Sequence, residues 1–338
     1  MTALDKRQVP AGEPARRAER RSDRVADLGQ RHGALAVLVI VSLVGLAAFP
    51  GFRTPENAAT LLVNAAPLAL IALGMTFVIL TGGIDLSVGS VFVLGGVLAA
   101  WASQYGFWAA LAAPLAVCGL IGLVNGVLVA RTGMPPFIVT LASLLGARGL
   151  MRAISGEGSA TYLVAAPAFK MFGNGAALGV KWPVWVAAAL FLIGTVVLHR
   201  MRFGQSVYAI GGSADAARLM GVPVAATRVC VYAISGLLAG LAGALNAARL
   251  GSGVTVLGIG LELDAIAAVV IGGTLLTGGA GALSGTAAGV LLLGVIQNLI
   301  NQVGDLPAAY QQVISGSFLA VVVVAQTWLA RLRRVASG

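Results

Sequence analysis

Apolar residues in this chain come in long runs, broken by glycine, proline or a charge rather than repeating at the spacing of a surface helix. A helix that is apolar all round belongs in a large core or in a membrane. About 20 residues of helix cross a hydrocarbon layer ~30 Å thick. By that measure the runs predict about ten spans, at 34–50, 58–81, 87–103, 107–130, 136–152, 183–199, 227–248, 262–277, 281–303 and 309–330. The runs at 87–103 and 262–277 are short enough to be broken or re-entrant helices. Residues 34–330 then form one transmembrane domain. A polar arm, 1–33, precedes it as a flexible tail, and a short basic end, 331–338, follows it.

Composition sharpens this reading. Of 338 residues 58% are hydrophobic and 10% charged, and mean hydropathy is +0.93. A soluble domain is about half apolar and about a quarter charged, so a disordered chain is excluded and a soluble enzyme argued against. The net charge of +10 in such an apolar chain points to membrane lipid, not nucleic acid, because anionic lipid attracts basic segments on the cytoplasmic face. Ten spans with both ends in the cytoplasm put sixteen of the 22 Lys and Arg inside, including Arg131, Arg200, Arg202, Arg218 and Arg228. Such a bias is what the positive-inside rule demands. Cys118 and Cys230 lie in apolar runs and read as packing residues. With only His32 and His199, a metal centre is not expected.

The chain is also expected to be built from two inverted halves. Gly82-Gly83-Ile84-Asp85-Leu86 precedes the third span, with Gly95-Gly96 beyond it. Gly260-Leu261-Glu262-Leu263-Asp264 opens the eighth, with Gly272-Gly273 beyond it. Transporters often build their pathway between such halves. Asp85, Glu262 and Asp264 have two readings. One is a polar lining or gate, because charges in a membrane usually face a cavity or a polar partner. The other is a helix cap, Asp85 acting with Ser87 and Asp264 at its own helix start. Asn64, Thr76, Ser87, Asn125 and Asn298 are further pathway candidates, since amides and hydroxyls suit a polyhydroxylated solute. Phe137 is another, as a ring that can stack on a sugar's C–H face. Each has packing as its alternative. An intramembrane aspartyl protease is disfavoured, because the Gly-x-Gly-Asp context is missing.

The connection 200–226 is the longest inner one after the tail. It carries Gly211-Gly212 and then a short helical stretch, Asp215–Met220, which Ser213 or Asp215 would cap and Gly221 would end. Such a helix suits docking into a partner's groove, or else lies on the membrane as an amphipathic connector. No phosphate-binding loop is present: Lys6, Lys170 and Lys181 are followed by Arg7, Met171 and Trp182 instead of Ser or Thr. If ATP drives the protein, a separate subunit binds it.

Four strings, in order along 35–330, carry a resemblance. They are GMTFVILTGGIDLSVGS (74–90), NGVLVARTGMPPFIVTL (125–141), FGQSVYAIGGSADAARLMGV (203–222) and LDAIAAVVIGGTLLTGGAGALSGTAAGVLL (263–292). They resemble permease subunits of carbohydrate-importing ABC transporters of the ribose/xylose/galactose type, and in wording those of galactofuranose importers most. Ser213 departs from the Asn common in such relatives. The resemblance implies an all-α inner-membrane permease with a fold like that of vitamin B12 importers. It implies a partnership with a second permease copy or paralogue, a periplasmic sugar-binding protein and a cytoplasmic ATPase that uses ATP and Mg. It also carries Gly211, Gly212, Asp215, Ala216, Ala217, Arg218 and Gly221 over as the ATPase-coupling loop. The expected function is import of a pentose, hexose or galactofuranose. The alternatives are an ABC permease for branched-chain amino acids or nucleosides and an ion-coupled secondary transporter.

Overall fold

A computed structural model of the chain describes residues 33–302 and the single positions 313, 316, 317 and 320. The polar arm to residue 32, the run expected at 309–330 apart from those four positions, and the basic C-terminal end lie outside the described residues.

The described chain is a helical assembly: α1 (Gly33–Ala48), α2 (Pro55–Leu80), α3 (Val88–Ala102), α4 (Phe107–Thr132), α5 (Pro136–Ile154), α6 (Pro167–Asn174), α7 (Trp182–Arg200), α8 (Arg202–Gly212), α9 (Ala214–Leu219), α10 (Val224–Leu250), α11 (Leu261–Ile271) and α12 (Leu283–Gln302). Two short strand pairs, Tyr162–Leu163 with Ser252–Gly253 and Ala176–Ala177 with Val180–Lys181, tie the loops outside the helices. Seven of the helices, α2, α3, α4, α5, α7, α10 and α12, are long and apolar enough to cross a membrane.

Local chemistry sets the boundaries. Pro55 occupies the first turn of α2, where a missing N–H costs nothing, and Thr54 Oγ1 accepts from the Asn57 N–H at 3.2 Å. Helix α4 ends at Gly133 and α10 at Gly251, both left-handed. The run expected at 262–277 is helical only to Ile271, since Gly272 and Gly273 end it and 272–282 form a loop. An 11-residue helix is ~16 Å long, too short to cross, so α11 is a partial span.

The core is built around α3 and α10. Every residue of α3 except Trp101 is buried. Helix α10 packs on α2, α3 and α4, with Gly95 of α3 facing Gly240 and Gly122 of α4 facing Gly236. Between helices in lipid there is little hydrophobic driving force, so close backbone contact through small residues supplies much of the cohesion. Helix α10 packs on α3 and α4, while α2 packs on α11 and α12. The first long helix of each expected half, α2 and α10, thus lies against the short helix of the other, α11 and α3. The outward faces of α1, α4, α5 and α7 expose Leu43, Leu120, Leu145 and Leu192. An exposed apolar belt of this extent calls for a lipid solvent.

Aromatic residues gather at one end of the bundle. Trp101 and Tyr105 stack edge-on at 5.7 Å at the end of α3, and Phe107 and Trp108 do so at 5.1 Å at the start of α4. Trp182 and Trp185 stand at the start of α7, with Trp185 Nε1 donating to the Ala177 carbonyl at 3.2 Å. Tryptophan and tyrosine favour the membrane–water interface. Arg131, Arg200 and Arg202 stand at the other ends of α4, α7 and α8.

Candidate functional site

The loop between α2 and α3 holds the densest polar cluster. Asp85 is 1% exposed. Its Oδ1 accepts from the Ser87 N–H at 3.0 Å and from Ser87 Oγ at 2.6 Å, and its Oδ2 accepts from Ser235 Oγ of α10 at 2.8 Å. Ser87 Oγ also accepts from Asn125 Nδ2 of α4 at 3.2 Å, and Asn125 Oδ1 accepts from Ser143 Oγ of α5. The Ile84 carbonyl receives Tyr232 Oη and Thr140 Oγ1, each at 3.4 Å. One loop therefore joins α3, α4, α5 and α10, and its buried carboxylate is satisfied by donors, as buried charge requires. Asp85 turns the chain into α3 through the Ser87 N–H, and its second oxygen ties that turn to α10.

Asp85→Ala leaves Ser87 and Ser235 facing a gap, at about 1–3 kcal/mol for each orphaned group. The purified protein is expected to unfold at lower temperature than wild type, with Asp85→Asn in between. Equal unfolding temperatures for all three would refute this role.

The other candidates fall into separate places. Thr76 bonds Thr286 across α2 and α12 at 2.9 Å, both side chains being buried. Asn298 exchanges amide hydrogen bonds with Asn57, at 2.8 and 3.1 Å, clamping the end of α12 to the start of α2. Asn64 is exposed and accepts from Arg249 of α10. Phe137 is exposed on α5. Glu262 and Asp264 stand in the first turn of α11, where acidic groups complement the helix dipole. Gly260, not Asp264, is the cap residue. Cys118 is buried and Cys230 exposed, so only the first is a packing residue, and both are free thiols. Among the described residues no cluster of metal-ligating side chains occurs.

Sequence reasoning missed Ser143, Tyr232, Ser235 and Thr286. Each is one polar residue in an apolar run, with no spacing that marks it. Two cavities also went unseen. One of about 200 Å³ is lined by Thr81, Gly83, Pro135, Arg228 and Tyr232. One of about 210 Å³ lies among Ser90, Arg148, Arg152, Glu157 and Thr255.

The inner connection folds into two helices, α8 and α9, where one was expected. Ser213 Oγ caps α9 by accepting from the Ala216 N–H at 3.3 Å, and Gly221 follows its end with φ of 80°. Ala217 is buried with Ile210 and Val224. Leu219 and Met220 are 90% and 72% exposed, beside an exposed Asp215–Arg218 pair at 3.4 Å. Gly212 is open, whereas Gly211 is packed against the backbone of Leu80 and Gly279. Of the seven residues of the expected coupling loop, Asp215, Ala216, Ala217 and Arg218 lie on α9 with Gly221 just past it, Gly211 is anchored and Gly212 is open.

A polytopic helical bundle with a buried acidic turn and a projecting short helix is the architecture of a multi-pass membrane protein. The chain belongs to the family described as "branched-chain amino acid transport system / permease component", whose profile matches residues 57–323. It is 40% identical to the ribose import permease of Escherichia coli K12 over 301 residues, covering 88% of this chain and 93% of that one. It is 34% identical to the L-arabinose ABC transporter permease of Azospirillum brasilense over 330 residues, covering 97% and 96%. It is also 34% identical to the fructose import permease of Bifidobacterium longum over 303 residues, covering 87% and 89%. The protein is therefore a multi-pass permease component of an ABC transporter.

Proposed function

We propose that this permease carries a monosaccharide, a pentose or hexose, into the cell, driven by ATP hydrolysis on a separate subunit. The observation that carries this reading is near-full-length identity of 34–41% to permeases named for ribose, L-arabinose and fructose. The family description is broader and names branched-chain amino acids, which keeps leucine as a control solute. Galactofuranose belongs in the same sugar panel.

A binding protein would deliver the solute on the outer side, and an ATPase would dock on the inner side. The exposed Leu219 and Met220 of α9 support the second part, since an apolar knob on a short capped helix suits a partner's groove. A second permease, identical or paralogous, would complete the pathway. The exchanged packing of α2 and α10 supports inverted halves. The basic ends of α4, α7 and α8 support their placement in the cytoplasm.

The test is reconstitution with the partner ATPase and binding protein. ATP hydrolysis is expected to rise with sugar-loaded binding protein and to fall toward the basal rate in Leu219→Asp/Met220→Asp and in Gly221→Asp. Uptake by this chain alone along an ion gradient, without ATP, would sink the importer reading and the docking role of α9 together.

A further inference from the structure

At the end of the bundle where Arg131, Arg200 and Arg202 stand, α2 and α4 end and α5 and α10 begin. The cavity of about 200 Å³ lies between them, walled by Thr81 and Gly83, by the turn from α4 to α5, and by Arg228 and Tyr232 of α10. Arg228 is half-buried. Among the described residues it makes no hydrogen bond and no ion pair. A guanidinium is a donor on every side, and a charge drawn out of water is unfavourable until it is paired. No carboxylate is among the residues that line this cavity. Asp85, close by in the loop after Gly83, is committed to Ser87 and Ser235. The cavity therefore presents a cation that the described chain does not balance.

Two further features favour an anion. Helix α5 begins in the cavity wall, at Pro135 and Pro136, with neither a side-chain cap nor an acidic residue in its first turn. The positive end of its dipole is thus uncompensated. Tyr232 is 1% exposed and holds its hydroxyl over Gly83, and that hydroxyl's bond to the Ile84 carbonyl is long, at 3.4 Å. It can donate to an anionic oxygen instead.

The surroundings select which anion. Met134, in the wall, is exposed, as are Leu128 of α4 and Ile138 of α5, close in sequence to the lining Val129 and Pro136. On a chain that spans a membrane, such a rim meets acyl chains. The arginines at this end also favour the cytoplasmic leaflet, where anionic lipids are found and where basic pockets between helices hold their headgroups. Inorganic phosphate would meet only the cation. A phospholipid would use both the cation and the apolar rim.

We propose that this cavity binds the phosphate of an anionic phospholipid, with Arg228 as the main donor, Tyr232 as the second, and the acyl chains lying over Leu128 and Ile138. Bound there, the lipid holds the turn between α4 and α5 against the loop at 81–87 and against α10. The site does not depend on which solute is carried.

The test uses the purified full chain in mild detergent, with phosphatidylglycerol, phosphatidylcholine or inorganic phosphate added. Native mass spectrometry is expected to show phosphatidylglycerol retained in preference to phosphatidylcholine. Arg228→Gln, which removes one charge, is expected to weaken that retention about 5-fold. Met134→Glu, which sets a negative charge on the rim, is expected to weaken it as well. Arg202→Gln is the control, being exposed at the same end of the bundle but outside the cavity wall. It is expected to retain lipid as wild type does. Phosphatidylglycerol is also expected to raise the unfolding temperature of wild type and not that of Arg228→Gln. Equal retention by wild type, Arg228→Gln and Met134→Glu overturns the site. An equal loss in Arg202→Gln overturns it too, because lipid would then be following surface charge alone. Stabilisation by inorganic phosphate but not by phosphatidylglycerol overturns the lipid assignment. If Arg228→Gln does not fold, Met134→Glu decides, since its side chain is exposed. Sugar uptake enters none of these readouts, so failure of the importer reading would leave the result standing.

Discussion

Gly211→Ala is expected to cut ATP-driven uptake far more than Gly212→Ala, although the two glycines are adjacent and both lie in the proposed coupling region. A Cβ on Gly211 would stand 1.9 Å from the Leu80 carbonyl oxygen and 2.2 Å from the Gly279 nitrogen. Both neighbours are backbone and cannot rotate away. They are also joined to each other, the Gly279 N–H donating to the Leu80 carbonyl at 3.0 Å. Gly211 is thus the point where α8 rests on the end of α2 and on the turn that leads to α12. Motion of the docking helix proposed above, α9, would reach the acidic loop at 81–87 through this contact, because Leu80 immediately precedes it. Overpacking a tight contact costs ~1–3 kcal/mol. Placed on the coupling between ATPase and pathway, that is about 5–150-fold. A Cβ on Gly212 meets nothing within 4 Å. Uptake per ATP hydrolysed, measured on both variants in the reconstituted complex, decides the matter. Equal values for the two would show that α8 does not transmit motion at Gly211.

Gly243→Val is expected to prevent accumulation of folded protein. The added Cβ would lie 2.0 Å from the Phe92 carbonyl oxygen and 2.7 Å from the Gly96 nitrogen, so α3 and α10 would have to part. Helices α3 and α10 form the core of the bundle, and the Asp85–Ser235 bond ties the turn just before α3 to α10 as well. The cost is ~3 kcal/mol or more, at the upper end for overpacked cores. Gly146→Val of α5 is the control, since nothing lies within 4 Å of its Cβ. Size-exclusion profiles and thermal unfolding in detergent give the comparison. A Gly243→Val protein that elutes and unfolds like wild type would refute the close packing of α3 on α10.

The helical segments were legible because a membrane imposes one strong rule. Backbone groups in lipid must bond internally, so long apolar runs become helices wherever proline, glycine or charge allows. Nine of the ten expected runs coincide with helices among the described residues, although α11 stops at Ile271. The cap of α9 was legible as well, because Ser213 and Gly221 act within a few residues of themselves. The division of labour among the polar residues was not. Thr76, Asn125 and Asn298 looked alike as single polar groups in apolar runs. Each is spoken for by a partner on another helix, at sequence separations of 210, 38 and 241.

The sequence by itself determined a polytopic membrane protein, the capped helix α9 and the family resemblance. These follow from composition, from hydrophobic run length and from chemistry local to a few residues. Only the tertiary structure decided that Asp85 ties the turn before α3 to α10, that Gly211 is anchored while Gly212 is free, and that Ser90 and Arg148 line one cavity. The physical reason is the same in each case. Hydrogen bonds, close backbone contacts and cavities depend on which helices become neighbours. In a bundle whose helices are apolar on nearly every face, the pattern along one helix does not name its neighbour. Packing of small residues does so, and it exists only once the helices have met.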